Sequence, residues 1–118
     1  MYVEALSGFP GAFSSFVFKS IGIPGLLKLL RDESQRDATF RSAVAFSEPG
    51  GARPRIFEGS VSGKISRMAK GSNGFGFDPV FVPEGSRKSI GEMTIEEKCA
   101  ISHRGIAMRK FAAWFVRR

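Results

Sequence analysis

Apolar and polar positions change rhythm along this chain, and each rhythm predicts an element. A Gly8-Phe9-Pro10-Gly11 turn leads to Ser14 and Ser15, both N-cap types, and then to Phe16-Val17-Phe18-Lys19-Ser20-Ile21, which stops at Gly22. That is the pattern of a short helix with a glycine stop. Pro24 suits the first turn of a second helix over residues 25–31, where leucines fall on adjacent turns. Residues 32–37 are polar and predict a loop. From there the period drops to two. Phe40, Val44 and Phe46 share one face of a strand over residues 39–46. A Glu48-Pro49-Gly50-Gly51 turn returns the chain into residues 55–65, which predict a second strand paired to the first as a hairpin, with bulges at Gly59 and Gly63.

The C-terminal half opens with a glycine-rich loop from residue 71, which runs into a short apolar strand, Val80-Phe81-Val82. Thr94 and Glu97 have the spacing of a capping box, so a turn or two of helix follows through Ala100. Ser102 is a fresh N-cap candidate. Behind it, Ala107, Met108, Phe111, Ala112 and Phe115 predict an amphipathic helix. Arg109, Lys110, Arg117 and Arg118 crowd its end, where cations suit the helix dipole. Two helices, several strands, a glycine-rich loop and a final helix make a mixed α/β (α+β) fold, and 118 residues, 42% of them hydrophobic, make a single domain over residues 1–118.

Charge narrows the partner. The formal net charge is +7. Residues 1–59 carry seven basic and six acidic side chains, while residues 60–118 carry eleven and five. The C-terminal half is therefore the half expected to meet an anion, the plainer reading being a solvated basic surface. Cys99 is the only cysteine and His103 the only histidine, which argues against a disulfide and a structural metal. No apolar run approaches the roughly 20 residues a membrane crossing needs, and the N-terminus lacks a signal pattern. The expectation is a cytoplasmic protein with no membrane partner.

Two segments look chemical. In Gly74-Phe75-Gly76-Phe77-Asp78-Pro79, glycines let backbone approach a flat ligand and an exposed Phe75 can stack on a base. Pro79 biases Asp78 toward an extended conformation that aims its carboxylate at a nucleobase edge. Alone, the segment reads more plainly as a core Phe in a tight loop with Asp78 in an Asx turn. The second segment is Lys98 followed by Ser102-His103-Arg104-Gly105, which gathers N–H donors at a helix start. A lone histidine there is commonly a surface or capping residue. Its Arg and Lys neighbours favour binding.

In combination these blocks, with Val80-Phe81, Glu92-Met93-Thr94 and Ile106-Ala107, resemble the C-terminal signature of the inosine triphosphate pyrophosphatase (Ham1-like) family. The likeness extends to Tyr2-Val3-Glu4-Ala5-Leu6, to Arg36, Ala38 and Phe40, and to Phe57, Gly59, Val61, Gly63 and Ile65. It implies a long twisted mixed β-sheet flanked by helices, a homodimer, and hydrolysis of ITP, dITP and XTP to monophosphate and pyrophosphate with Mg²⁺. It also implies a purine nucleoside triphosphate as ligand, held by Phe75, Gly76, Phe77, Asp78, Lys98, His103 and Arg104. Phe75 would stack on the purine, Lys98 would contact the nucleotide, and Asp78, His103 and Arg104 would read the 6-oxo edge. Phe77 stands where the family usually has Tyr or Trp, Gly91 where Ala is common, and Cys99 where Asn is common.

The larger departure is at the front. The family's Ser/Thr-x-Asn-x-x-Lys phosphate loop and metal-binding Glu have no counterpart in this chain, and its general-base Asp would fall three positions before Met1. No catalytic residue and no metal ligand is therefore assigned within these residues, and the spacing of Glu4 does not support it as a substitute. The expectation is a truncated family member that lacks the N-terminal strand, keeps the base-recognition half and leaves a sheet edge exposed. The alternatives are a catalytically inactive purine-nucleotide-binding protein and a small basic nucleic-acid-binding protein. For the last of these the sequence carries no motif.

Overall fold

A computed structural model describes residues 1–51 and 53–117. Among the described residues the chain forms a mixed α+β structure around four strands: β1 (Tyr2–Val3), β2 (Asp37–Phe46), β3 (Arg55–Ile65) and β4 (Phe81–Pro83). They lie in the order β1-β2-β3-β4, and every pairing among the described residues is antiparallel. Four α-helices accompany them among the described residues: α1 (Ser14–Ser20), α2 (Gly22–Leu29), α3 (Ile95–Ile101) and α4 (His103–Phe115).

The β2–β3 hairpin is the spine. Its register runs unbroken from Asp37 opposite Lys64 to Phe46 opposite Arg55, so the bulges expected at Gly59 and Gly63 do not form. Both glycines answer a different need. A Cβ at Gly59 would overlap the His103 carbonyl, and one at Gly63 would overlap the Val82 carbonyl of β4. They are places where another backbone comes too close for any side chain.

Seating at Gly59 also sets the rotation of α4. Ala107 is fully buried on the hairpin, and Phe111 and Trp114 follow it down the same face. Met108 and Ala112 are exposed, so the buried stripe is rotated away from the one the sequence predicts. At the far end Phe46 and Phe57 of the hairpin pack against Phe111 and Trp114, with ring centroids 5.5–5.7 Å apart. Arg118 of the basic C-terminal cluster lies outside the described residues.

At the other end α1 and α2 meet at a sharp break, and Gly22 there adopts a φ of +63°. The helix foreseen over residues 25–31 therefore starts earlier, at Gly22, and Pro24 sits in its first turn. Ser14 is the first residue of α1 rather than its cap. Its hydroxyl donates to the Gly11 carbonyl, because a 3₁₀ turn (Gly11–Phe13) feeds directly into the helix. No single helix among the described residues is long and apolar enough to cross a membrane. Leu26 and Leu30 pack into a core with Val3, Ile65, Val80 and Phe81, all of them fully or almost fully buried.

One buried charge ties this core together. Arg36 donates to the carbonyls of Leu30, Ile65 and Ser66 at 2.7–2.9 Å, which staples the loop after α2 to the end of β3. The capping box at the start of α3 forms as its spacing predicts. Thr94 accepts from the Glu97 N–H at 3.1 Å, and Glu97 accepts from the Thr94 N–H at 3.0 Å.

Candidate functional site

A cleft of about 550 Å³ opens between the start of α1, the middle of β2 and the junction of α3 with α4. All seven residues singled out in the sequence line it: Phe75, Gly76, Phe77, Asp78, Lys98, His103 and Arg104. They reach it from a glycine-rich loop and two helix termini, and the fold brings them together.

The two phenylalanines of the loop part company. Phe77 is only 3% exposed and meets Phe18 of α1 edge-on, at 5.3 Å between centroids. The core Phe of this loop is therefore Phe77, not Phe75 as the plainer reading of the segment would have it. Phe75 is 58% exposed. The Lys98 ammonium lies over its ring, 4.3 Å from the centroid, and the Arg104 guanidinium at 4.8 Å, so an exposed aromatic ring is held in cation–π contact with two cations.

Asp78 holds that arrangement in place. It opens a 3₁₀ turn (Asp78–Val80), so it is not extended as Pro79 led us to expect, and it forms no Asx turn. Oδ2 accepts from the Phe75 N–H at 3.0 Å and from Lys98 Nζ at 2.7 Å. Closing the loop onto the carboxylate requires Gly74, which has a φ of +76° and where a Cβ would overlap that oxygen. Oδ1 has no protein donor among the described residues and faces no competing internal bond.

His103 opens α4 behind Ser102, whose hydroxyl caps the helix by accepting from the Gly105 N–H at 3.2 Å. Its ring stacks on Phe40, 5.2 Å between centroids and 12° between planes. Nδ1 is hydrogen-bonded to the Ser42 hydroxyl. Burial, and then the neighbouring Arg104 charge, push the His103 pKa down to about 4. The imidazole is thus neutral near pH 7, with one ring nitrogen a donor and the other an acceptor. Arg104 is exposed and has no carboxylate partner among the described residues.

The cleft is lined by one carboxylate, Asp78, beside the cations Lys98, Arg104 and Arg41 and the neutral imidazole. This set does not fit a magnesium ion, which needs several oxygen ligands in octahedral array. Among the described residues no three His, Cys, Asp or Glu side chains gather anywhere. No step is therefore assigned through a metal on these residues.

Sequence reasoning missed Ser42, Arg41 and Tyr2, which also line the cleft. For Ser42 a signal was available. It occupies the apolar register of β2, between Phe40 and Val44, where a hydroxyl must find a partner.

The sequence matches the Ham1 family over residues 1–114. This chain belongs to the Ham1 family. Among Ham1 relatives, the dITP/XTP pyrophosphatase of Methanopyrus kandleri is 49% identical over 115 residues, covering 98% of this chain and 61% of the relative. The Thermococcus kodakarensis protein of the same name is 52% identical over 114 residues, covering 97% and 60%. The Ham1 protein structure from Staphylococcus aureus superposes with a TM-score of 0.90 at 34% identity, over 97% of this chain and 62% of that one. That from Coxiella burnetii gives 0.90 at 33%, over 99% and 64%. The chain thus spans about 60% of the length of the M. kandleri and T. kodakarensis proteins.

Proposed function

We propose that the cleft binds the base of a non-standard purine nucleoside triphosphate. The corresponding activity is that of a nucleoside-triphosphate pyrophosphatase releasing monophosphate and pyrophosphate from ITP, dITP or XTP. One observation carries this reading. The exposed Phe75 ring, the Asp78 carboxylate as acceptor, and donors at His103 and Arg104 all line one cleft. Hypoxanthine and xanthine present a carbonyl at C6 and an N–H at N1, which such a set can take as acceptor and donor. Adenine presents the reverse, an amine at C6 and a bare N1, and would leave these groups unpaired. Lys98 and Arg104 are the cations nearest the stacked base, well placed for the nucleotide's negative charge. The names of the M. kandleri and T. kodakarensis relatives support the same substrate class.

The described residues supply recognition, and no water-activating group is assigned among them. Calorimetric titration of the protein with ITP, XTP and ATP tests the reading. Binding is expected for the first two and not the third, with Phe75→Ala weakening ITP binding by about tenfold or more, as loss of a base stack implies. Equal affinity for ATP would overturn it. Pyrophosphate release with Mg²⁺ above that of the Phe75→Ala variant separates hydrolysis from binding alone. The reading also carries a cytoplasmic homodimer. Phe13 and Phe16, each 70% exposed, are apolar surface of the kind an interface would cover, and sedimentation equilibrium checks it.

A further inference from the structure

We infer that Ser42 is a specificity-determining positioning residue: its hydroxyl donates to His103 Nδ1, fixes the hydrogen on Nε2, and so makes this end of the cleft take a purine carbonyl and refuse an amine. The inference rests on the reading of the cleft as a purine site. It begins from where Ser42 stands. On β2 it faces the same side as Phe40 and lies directly opposite Gly59 of β3. Gly59 is the point where the first turn of α4 touches the hairpin, since a Cβ there would overlap the His103 carbonyl. Hairpin and helix thus meet at one spot, and the Ser42 hydroxyl and the imidazole bond to each other across it. Phe40 stacks along the ring and leaves it little freedom to turn.

The direction of that bond follows from counting partners. Among the described residues the only group bonded to the Ser42 hydroxyl is His103 Nδ1. If Nδ1 carried the hydrogen, the hydroxyl would accept it and its own hydrogen would find no protein acceptor. With Nδ1 bare, the hydroxyl donates and is satisfied, and Nε2 carries a hydrogen that no protein group takes up. A neutral imidazole with Nε2–H is a donor to a 6-oxo group. The opposite tautomer would be an acceptor matched to a 6-amino group. Because its hydroxyl is committed to Nδ1, Ser42 acts on the ligand through the ring.

His103 is the only histidine in the chain, so its ring nitrogens give an unambiguous ¹⁵N spectrum. In the wild-type protein near pH 7, long-range ¹H–¹⁵N correlation is expected to show hydrogen on Nε2 and Nδ1 as an acceptor. Ser42→Ala is expected to lower the ratio of inosine- to adenosine-nucleotide affinity by about tenfold, the scale of one hydrogen bond. Ser42→Thr, which keeps the hydroxyl, restores the ratio. A wild-type ring with hydrogen on Nδ1 would overturn the proposal, and so would an Ala variant with undiminished preference. A wild type that binds both bases alike would instead sink the reading of the cleft as a 6-oxo-purine site, and with it the selectivity assigned to Ser42, whatever the tautomer.

Discussion

At the scale of single residues, the site depends on a carboxylate that has two duties. Asp78 Oδ2 holds the Phe75 backbone and the Lys98 ammonium together, which shapes the loop before any ligand arrives. Asp78→Asn keeps the shape of the side chain but removes the charge opposite Lys98. Loss of about 1–3 kcal/mol is expected, measured by urea denaturation, because the part-buried Lys98 ammonium is left without an opposing charge. Replacing both members, Asp78→Asn with Lys98→Met, should recover part of that loss, since no unpaired charge is left. His103 gives a pH signature. Its folded pKa of about 4 lies below the ordinary 6.5, so between those values the unfolded chain binds more protons. Its contribution to stability is complete above pH 6.5 and is lost as pH falls toward 4. The difference in unfolding free energy between wild type and His103→Gln should therefore shrink or change sign across that window. Sequence identifies every one of these side chains, but not how Gly74-Phe75-Gly76-Phe77 divides its aromatic rings. Phe77 is buried because Phe18, far away in the chain, is seated against it, and no local pattern records that contact.

At the scale of elements, β2, β3 and β4 are legible in the sequence, while the two-residue β1 and the supports of the sheet are not. Alternation at Phe40, Val44 and Phe46 gives β2 its faces, and the capping box at Thr94 gives α3 its start. Gly59 and Gly63 suggest bulges because sequence reports what a glycine permits, and only the fold reports which neighbour requires it. The same contact explains the rotated stripe of α4. Once His103 and Ala107 are pinned over Gly59, the residues that face the hairpin are fixed by the helical period. Gly59→Ala tests this directly. The new methyl has no space against the His103 carbonyl, and a cost of about 1–3 kcal/mol is expected from overpacking. Because the strain falls on the first turn of α4, ITP affinity should drop together with the melting temperature. A variant that melts early but binds as wild type would separate helix seating from the site.

At the scale of the whole molecule, the protein is elongated, 50 × 28 × 23 Å, with chemistry at one region and an aromatic cluster at another. Leu26, Leu30 and Phe81 pack beneath the cleft side, while Phe46, Phe57, Phe111 and Trp114 pack at the far end of the hairpin. α4 joins the two. It carries the chain's only histidine at its first position and the only tryptophan in its last turn, on the order of 16 Å apart at the helical rise. Two single-copy reporters thus stand at opposite ends of one rod. Indole fluorescence and imidazole resonances followed through the same urea titration read the two ends independently. Coincident midpoints are expected, because a helix anchored on both strands of the hairpin makes the ends one cooperative unit. An indole transition that comes first would mean that the far end frays alone, and that the recognition cleft outlasts it.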